Sequence, residues 1–306
     1  MPEGAAKRTA LNNVVSQLAR NDPQAAAALL ATLPLTQDRA NLYHQLAWQW
    51  TQSDLPGAVN WIKQLPEGPA KQNALQNMGS PWAQTDPSGA ITYALSLPAG
   101  SQQHNLLANI MSQWAVNDLE TARAWAQSLP AGPTRNRVIS SMISAWANSD
   151  AQAAAAYVNQ LPDSSEKNQV ATSLVSSWSR QDPPAAAAWV TQLAAGDGRD
   201  NLISQIASAW AGVDPSGAAK WVEDLPDGKT HDRAVQSFAQ QLAQFDPATA
   251  AAWVDTIQDD KVWQGVAQPV ANQWVRVDPT AAKQWVAQSS LPDEFKKRIA
   301  DYKPEQ

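Results

Sequence analysis

A period of 32 residues runs through this chain of 306 residues and constrains its fold more than any other feature of the sequence. Aspartate recurs at this interval without insertion, at Asp22, Asp54, Asp86, Asp118, Asp150, Asp182, Asp214, Asp246 and Asp278. The fourth residue after each aspartate is alanine, and the seventh is a large side chain. In a repeat array each unit contacts only its neighbours along the chain, so the period predicts a stack of equivalent units.

Each repeat carries the signals of two helices, which we name helix A and helix B. Helix A follows the aspartate, a favourable N-cap, and proline occupies its first position in six repeats. It ends near a Leu-Pro pair such as Leu65-Pro66, because proline disfavours helical geometry in the residue before it. Helix B carries a wide apolar stripe at helical spacing, with a tryptophan such as Trp210 four residues before the next aspartate.

The sequence therefore predicts an all-α fold, an α/α superhelical solenoid of about nine helix-turn-helix repeats with about 18 helices in total. In this interpretation residues 1–306 form a single repeat domain. Residues 5–21 form an N-terminal capping helix, residues 22–277 form eight two-helix repeats, and residues 278–306 add a last helix A and a C-terminal capping helix.

Two kinds of repeated side chain indicate how the helices pack. The repeated alanine carries only a methyl group, which lets helix A approach a neighbouring helix closely. The sequence contains 15 tryptophans, and we expect those at the repeated positions to be buried between layers. Gly79, Pro81 and Pro269 interrupt two B helices, which we expect to be kinked or shortened.

The pattern Trp-x-x-x-Asp-Pro-x-x-Ala-x-x-Trp-x-x-x-Leu-Pro-x-Gly, found here from Trp210 to Gly228, resembles a known type of bacterial tandem repeat. Such repeats occur in uncharacterised exported or envelope-associated proteins, especially from Verrucomicrobia and related groups. The resemblance covers nearly the whole chain and implies an α/α superhelix without a known activity. The architecture is more distantly similar to tetratricopeptide repeats, whose unit has about 34 residues. Their Trp-Leu-Gly-Tyr order is absent from this sequence.

Composition and charge exclude several classes of partner. A net charge of −6 and a pI near 5.1 provide no cationic field for phosphate backbones, which argues against nucleic-acid binding. The absence of cysteine excludes disulfides, thiolate metal sites and cysteine nucleophiles. No apolar run has the length of a membrane span, so we expect a soluble chain without membrane insertion. Both the cytoplasm and the bacterial periplasm are compatible, the latter for an exported protein whose signal peptide is absent from this chain.

No catalytic constellation interrupts the repeat. His44, His104 and His231 fall in three repeats at different positions, and none has a second histidine at metal-ligand spacing. The sequence contains no phosphate-binding glycine loop and no Gly-x-Ser-x-Gly turn. The repeated aspartates are explained as helix caps rather than as a row of cation ligands. We therefore predict that the chain is not an enzyme and has no cofactor or metal site.

Polar rows along helix B provide the candidate partner-binding residues. They are four asparagines at one repeat position and three arginines near the start of the helix, namely Asn41, Asn73, Asn105, Asn201, Arg39, Arg135 and Arg199. Amide side chains can bracket the backbone donors and acceptors of an extended chain, and a cationic row can bind an acidic partner. Two alternatives stay open: the asparagines form an uncharged solvated face, and the cations pair with nearby aspartates at the layer junctions.

The sequence favours a non-enzymatic scaffold that binds a peptide or protein partner along an extended superhelical surface. A structural or engineered, consensus-like repeat protein without a ligand is the alternative, because the spacing is uniform. A carbohydrate-binding helical array is the second alternative. It requires tryptophans that are exposed in a cleft beside carboxylates.

Overall fold

The computed structural model describes residues 3–32, 37–66 and 68–302, and within these ranges every regular element is an α-helix. The first nine helices are α1 (Glu3–Asn21), α2 (Pro23–Ala31), α3 (Gln37–Ser53), α4 (Leu55–Gln64), α5 (Pro69–Thr85), α6 (Pro87–Ser96), α7 (Ser101–Asn117), α8 (Leu119–Ser128) and α9 (Pro133–Gln160). The next nine are α10 (Ser165–Trp178), α11 (Pro183–Thr191), α12 (Asp197–Ala211), α13 (Pro215–Glu223), α14 (Lys229–Leu242), α15 (Pro247–Val254), α16 (Asp260–Val277), α17 (Pro279–Gln288) and α18 (Asp293–Ala300). The predicted all-α, solenoid-like fold is confirmed. None of the described helices is long and apolar enough to cross a membrane.

Contacts divide the chain into two compact units, Met1–Trp146 and Ala147–Gln306, here called the N-terminal unit and the C-terminal unit. Helix α9 contains residues of both and is interrupted at Asp150, whose backbone is not helical (φ −152°, ψ 86°). The interruption separates a helix B from the following helix A at the position that the 32-residue period predicts. The organisation as one domain with a capping helix at each end stays a prediction.

The nine repeated aspartates cap the A helices. Each carboxylate accepts a hydrogen bond from the backbone N–H three residues later, at 2.9–3.1 Å. Asp278 also accepts from the N–H of Thr280 at 3.0 Å. These N–H groups lie in the first turn, where they have no partner inside the helix. The prediction that the aspartates are helix caps is confirmed.

The repeated alanines lie at the centre of the helix packing. All nine have 0% exposure: Ala26, Ala58, Ala90, Ala122, Ala154, Ala186, Ala218, Ala250 and Ala282. Successive B helices pack directly on each other, α3 on α5 and α5 on α7 in the N-terminal unit, and α12 on α14 and α14 on α16 in the C-terminal unit. Helix A packs against the flanking B helices, as α4 does against α3 and α5. A methyl group at the repeated position fits this close packing, as the sequence predicted.

The repeated tryptophans fall into two groups by exposure. Five of those near the end of helix B are only 4–8% exposed, namely Trp50, Trp82, Trp114, Trp178 and Trp210. Five of those in helix A are half-buried, namely Trp61, Trp125, Trp221, Trp253 and Trp285. The expectation of burial between layers is confirmed for most helix B positions. It is wrong for most helix A tryptophans, which keep part of their surface exposed.

The two prolines inside B helices do not shorten them. Pro81 lies in α5, which has 17 residues, and Pro269 lies in α16, which has 18. Helix α7, without proline, also has 17 residues. A proline removes one backbone hydrogen bond, and the packing of α5 on α3 and α7 offsets that loss. The expected shortening is therefore wrong, and the expected kink stays a prediction.

Candidate functional site

An aromatic pair forms where each helix B leads into the next helix A. The tryptophan of helix B packs against the aromatic residue eleven positions later, as Trp82 does against Tyr93 with ring centroids 5.4 Å apart. Trp210 packs against Trp221 in the same way at 5.8 Å. Further pairs are Trp50–Trp61, Trp114–Trp125, Trp178–Trp189 and Trp274–Trp285. The helix B ring thus covers part of the helix A ring.

In the N-terminal unit a cleft opens beside one such pair, between α4 and α6. Its volume is about 900 Å³, and it is lined by Leu55, Pro56, Val59, Asn60, Lys63, Trp82, Thr85, Asp86, Gly89, Thr92, Tyr93 and Ser96. Apolar surface predominates in this lining, although six of its twelve residues are polar or charged. That composition is typical of binding sites in proteins.

Two clefts of the same design lie in the C-terminal unit. The α11–α13 cleft has a volume of about 420 Å³ and is lined by Pro184, Ala187, Ala188, Thr191, Trp210, Trp221, Asp224, Leu225 and Pro226. The cleft between the second part of α9 and α11, here called the α9–α11 cleft, has a volume of about 330 Å³. Its lining is Gln152, Ala155, Ala156, Asn159, Trp178, Ala185, Ala188, Trp189 and Gln192. Ala188 lines both clefts, so they are adjacent across α11.

The three clefts occupy the same positions of the repeat. One wall includes the second, fifth, sixth and ninth residues after the aspartate of one helix A. The other wall includes the helix B tryptophan and the seventh and tenth residues after the next aspartate. In the α4–α6, α9–α11 and α11–α13 clefts the ninth residue is Lys63, Asn159 and Thr191, and the tenth is Ser96, Gln192 and Asp224. We call the helix B tryptophan and the aromatic seventh residue the frame of a cleft, and the ninth and tenth residues its rim. The frame is aromatic in all three clefts, whereas the rim residues differ.

The ninth residue of one helix A repeatedly contacts the aromatic ring of the next. The Lys63 ammonium lies over the Tyr93 ring, with Nζ 5.2 Å from its centroid. In two equivalent contacts an indole N–H donates to the ninth residue, Trp189 Nε1 to Asn159 Oδ1 at 3.3 Å and Trp285 Nε1 to Asp255 Oδ2 at 3.1 Å. In these repeats the chain itself supplies a polar partner for the ring.

The α11–α13 cleft differs because its ninth residue, Thr191, is bonded to its own helix and not to the ring of Trp221. The Thr191 hydroxyl donates to the carbonyl of Ala188 at 2.9 Å. Within the part of the chain that the structure describes, the indole N–H of Trp221 and the carboxylate of Asp224 have no partner. Asp224 is exposed and Trp221 is half-buried. The cleft therefore offers a hydrogen-bond donor, a carboxylate and an aromatic ring to a ligand.

The asparagines predicted as binding residues lie away from these clefts. Asn41, Asn105 and Asn201 are exposed on the B helices α3, α7 and α12. Asn105 lines a small cavity of about 140 Å³ between α5 and α7. The side chains of Asn73 and Arg39 lie outside the described residues. The described asparagines thus form a polar surface. A small cavity adjoins Asn105, and none of these asparagines lines an aromatic cleft described above.

The cations at the start of helix B make contacts inside the fold. Arg135 and Arg199 are half-buried, and Arg199 Nη1 donates to the carbonyl of Leu193 at 3.5 Å, near the end of helix A. At the same repeat position, Lys167 Nζ lies 2.9 Å from the Asp163 carboxylate. Lys167 thus pairs with an aspartate, as the structural alternative for this row expects, whereas Arg199 contacts a backbone carbonyl.

One buried carboxylate has a structural role. Asp232 is 2% exposed and accepts the backbone N–H groups of Gln258 and Asp259 at 3.1 and 3.0 Å. His231 Nδ1 lies 3.7 Å from the same carboxylate. These bonds hold the loop that leads into α16. In residues 3–32, 37–66 and 68–302 no group of three or more His, Asp or Glu residues could hold a metal ion.

Sequence reasoning missed the clefts because it assigned every repeated tryptophan to the core. A signal was present in the comparison of repeat positions. The fourth residue after the aspartate is always alanine, whereas the ninth and tenth residues change from one repeat to the next. Variation beside a fixed framework is typical of a surface that meets different groups.

Comparison with known proteins adds little to this description. No protein-family model matches the chain, and no curated protein matches it. The crystal structure of Ton1535 from Thermococcus onnurineus NA1 aligns with 95% of this chain and 98% of that chain, at 14% identity and a TM-score of 0.29. A similarity this low carries no argument about function.

Proposed function

We propose that this chain is a non-enzymatic scaffold that binds a partner protein through an extended peptide segment. The binding surface consists of the clefts between successive A helices, rather than of the polar rows on helix B. The observation that carries the proposal is the repetition of one aromatic cleft at three places with a different polar rim each time. A constant frame with changing rim residues is suited to selecting successive side chains of one partner.

The size and position of the clefts support a peptide ligand. Volumes of about 330 to 900 Å³ fall within the usual range of ligand sites. The α9–α11 and α11–α13 clefts adjoin across Ala188. An extended segment presents alternate side chains to the same side, so one segment that crosses α11 can place a residue in each cleft.

The chemistry of the cleft walls supports binding rather than catalysis. Asp86 caps α6, and the Ser96 hydroxyl donates to the carbonyl of Tyr93 at 2.6 Å. The carboxylate and the hydroxyl of the α4–α6 cleft therefore both have structural partners. A nucleophile and a base within hydrogen-bond reach of each other are the usual requirement for covalent catalysis, and the residues that line the three clefts include no such pair.

Carbohydrate binding is the second candidate, because Trp221 is half-buried in an open cleft beside the free carboxylate of Asp224. Part of the Trp221 ring is covered by Trp210, which is itself only 8% exposed. The remaining ring surface is therefore small for stacking on a sugar. A single side chain of a peptide requires less area, so we favour the peptide.

The test is selection of peptides from a random display library on the purified chain, followed by affinity measurements. Ala188→Arg places a long side chain in the wall shared by the two clefts of the C-terminal unit. Asn201→Arg adds the same charge on the exposed surface of α12 and is the matched control. We expect enriched peptides to lose at least about tenfold in affinity for the A188R variant and to keep their affinity for N201R.

Three results would overturn the proposal. They are a library that yields no saturable binder, binders that are insensitive to A188R, and binders that respond to N201R instead. A parallel screen of the same protein on a glycan array addresses the second candidate. Saturable binding of one class of sugar that is abolished by A188R would replace the peptide with a carbohydrate ligand.

A further inference from the structure

Charge is distributed unequally between the two units. The N-terminal unit contains eight Asp and Glu and nine Lys and Arg, whereas the C-terminal unit contains twenty and thirteen. The acidic excess of the chain thus belongs to the C-terminal unit. A surface of this kind attracts cationic partners over a distance of about one Debye length, roughly 8–10 Å at physiological salt.

The N-terminal unit contains an internal example of cation binding by the cleft frame. Lys63, the ninth residue of its repeat, places its ammonium over the ring of Tyr93 in the next helix A. Tyr93 packs on Trp82 at 5.4 Å, as Trp221 packs on Trp210 at 5.8 Å. Tyr93 and Trp221 occupy the same repeat position, and each lines a cleft together with the ninth residue of the preceding helix A.

In the α11–α13 cleft this position is not filled by a cation of the chain. Thr191 is the ninth residue, and its short side chain bonds to the backbone of its own helix. Asp224 adds a carboxylate to the same cleft, where the α4–α6 cleft has Ser96. An aromatic ring and a free carboxylate together are the groups that recognise an ammonium or a guanidinium.

We infer that the α11–α13 cleft binds a cationic side chain, lysine or arginine, of the partner peptide, between the ring of Trp221 and the carboxylate of Asp224. This inference deepens the proposed function and rests on it. The cation takes the place that Lys63 occupies in the α4–α6 cleft. The indole N–H of Trp221 is then free to donate to a backbone carbonyl of the same peptide.

The experiment uses the full chain with its tryptophan indoles labelled by ¹⁵N and an amidated hexa-arginine peptide as the probe. Trp221→Phe assigns the Trp221 indole signal. We expect hexa-arginine to shift this signal saturably and hexaglutamine to leave it unchanged. Thr191→Lys supplies an internal cation to the ring, as Lys63 does for Tyr93, and we expect it to weaken hexa-arginine binding about fivefold to tenfold.

Asp224→Asn and Asp293→Asn form a matched pair, because each removes one exposed carboxylate from the C-terminal unit. We expect D224N to weaken hexa-arginine binding about fivefold to tenfold and D293N to change it less than twofold. An unmoved Trp221 signal, or equal losses in D224N and D293N, would contradict the inference. The proposed function would survive that result if library peptides without basic residues still lost affinity for A188R.

Discussion

The α4–α6 cleft and the α11–α13 cleft have the same aromatic frame but differ in the charged residues that line them. In the first, Lys63 lies over Tyr93; in the second, Thr191 and Trp221 occupy these positions and Asp224 stands at the rim. Helix stacking fixes the frame, because the aromatic pair and the repeated alanine must fill the space between helices. The rim residues face solvent and can change with little effect on packing. One fold can therefore present different chemistry in each unit.

The largest loss of stability should come from deleting one ring of the aromatic frame. The loss should be equal in the two units. Trp82→Ala and Trp210→Ala each delete a ring that is at most 8% exposed. We expect each variant to lose about 3–5 kcal/mol of unfolding free energy, measured by urea denaturation with circular dichroism. Trp48→Ala is the control, since Trp48 is 51% exposed, and should change stability by about 0.5 kcal/mol or less. A large loss in one unit alone would mean that the two frames are not equivalent.

The next largest change in stability should distinguish a buried position from a cleft-wall position within one helix. Ala186 is fully buried, whereas Ala188, two residues later in α11, is exposed in the cleft wall. Ala186→Leu should overpack the stack and cost about 1–3 kcal/mol of unfolding free energy, while Ala188→Leu should cost about 0.5 kcal/mol or less. Thermal and urea unfolding of the two variants measure this difference. Equal costs would show that the cleft wall also belongs to the packed frame.

Each aspartate cap should contribute less to stability than a frame ring, and its contribution should be similar in every repeat. Asp182→Ala removes the bond to the backbone N–H of Ala185, and Asp54→Ala removes the equivalent bond to Gly57. We expect each to cost about 0.5–2 kcal/mol, because one first-turn N–H loses its partner. Asp182→Asn should retain most of the stability, since asparagine caps nearly as well as aspartate. If Asp182→Asn costs as much stability as Asp182→Ala, the negative charge of the cap matters more than its hydrogen bond.

Exchanging the rim between the two clefts should have a smaller effect still. Lys63→Thr removes the cation from Tyr93 and should cost about 0.5–1 kcal/mol of unfolding free energy. Thr191→Lys supplies a cation to Trp221 and should gain a similar amount. The two variants are compared with the parent chain in urea. A loss of unfolding free energy in K63T with a gain in T191K would support the equivalence of the two clefts. A loss in both variants would contradict it.

The smallest effect concerns pH and a surface contact between neighbouring repeats of the C-terminal unit. The hydrogen bond from Lys229, its charge and that of Arg233 lower the pKa of Asp197. A lowered folded-state pKa gives stability that is present above the ordinary value of about 4 and is lost as the pH falls through the folded value. Asp197→Asn should therefore remove part of the fall in melting temperature between pH 5 and pH 2.5. Identical pH profiles for the variant and the parent chain would contradict this role.

The frame could be predicted from the sequence and the clefts could not. The nine aspartates and nine alanines serve purposes that act within a helix or at a direct contact, so position in the repeat identifies their roles. Trp221 was assigned to the core because helical spacing gives the face of a residue but not the distance between successive A helices. That distance decides whether a repeated ring is covered or opens into a cleft. The sequence also favours the helix B asparagines as binding residues, because they form a polar row. Polarity alone does not reveal where a cavity lies.

The most direct measurement of the binding surface uses the absence of cysteine, which allows one introduced cysteine to carry a photo-cross-linker. Benzophenone is attached to Ala188→Cys in the shared wall of the two C-terminal clefts, and to Asn201→Cys on α12. Each labelled protein is irradiated with a library-selected peptide. The clefts between A helices predict a covalent adduct at position 188 and only background at position 201. An adduct at position 201 with none at position 188 would place the partner on helix B and contradict the account.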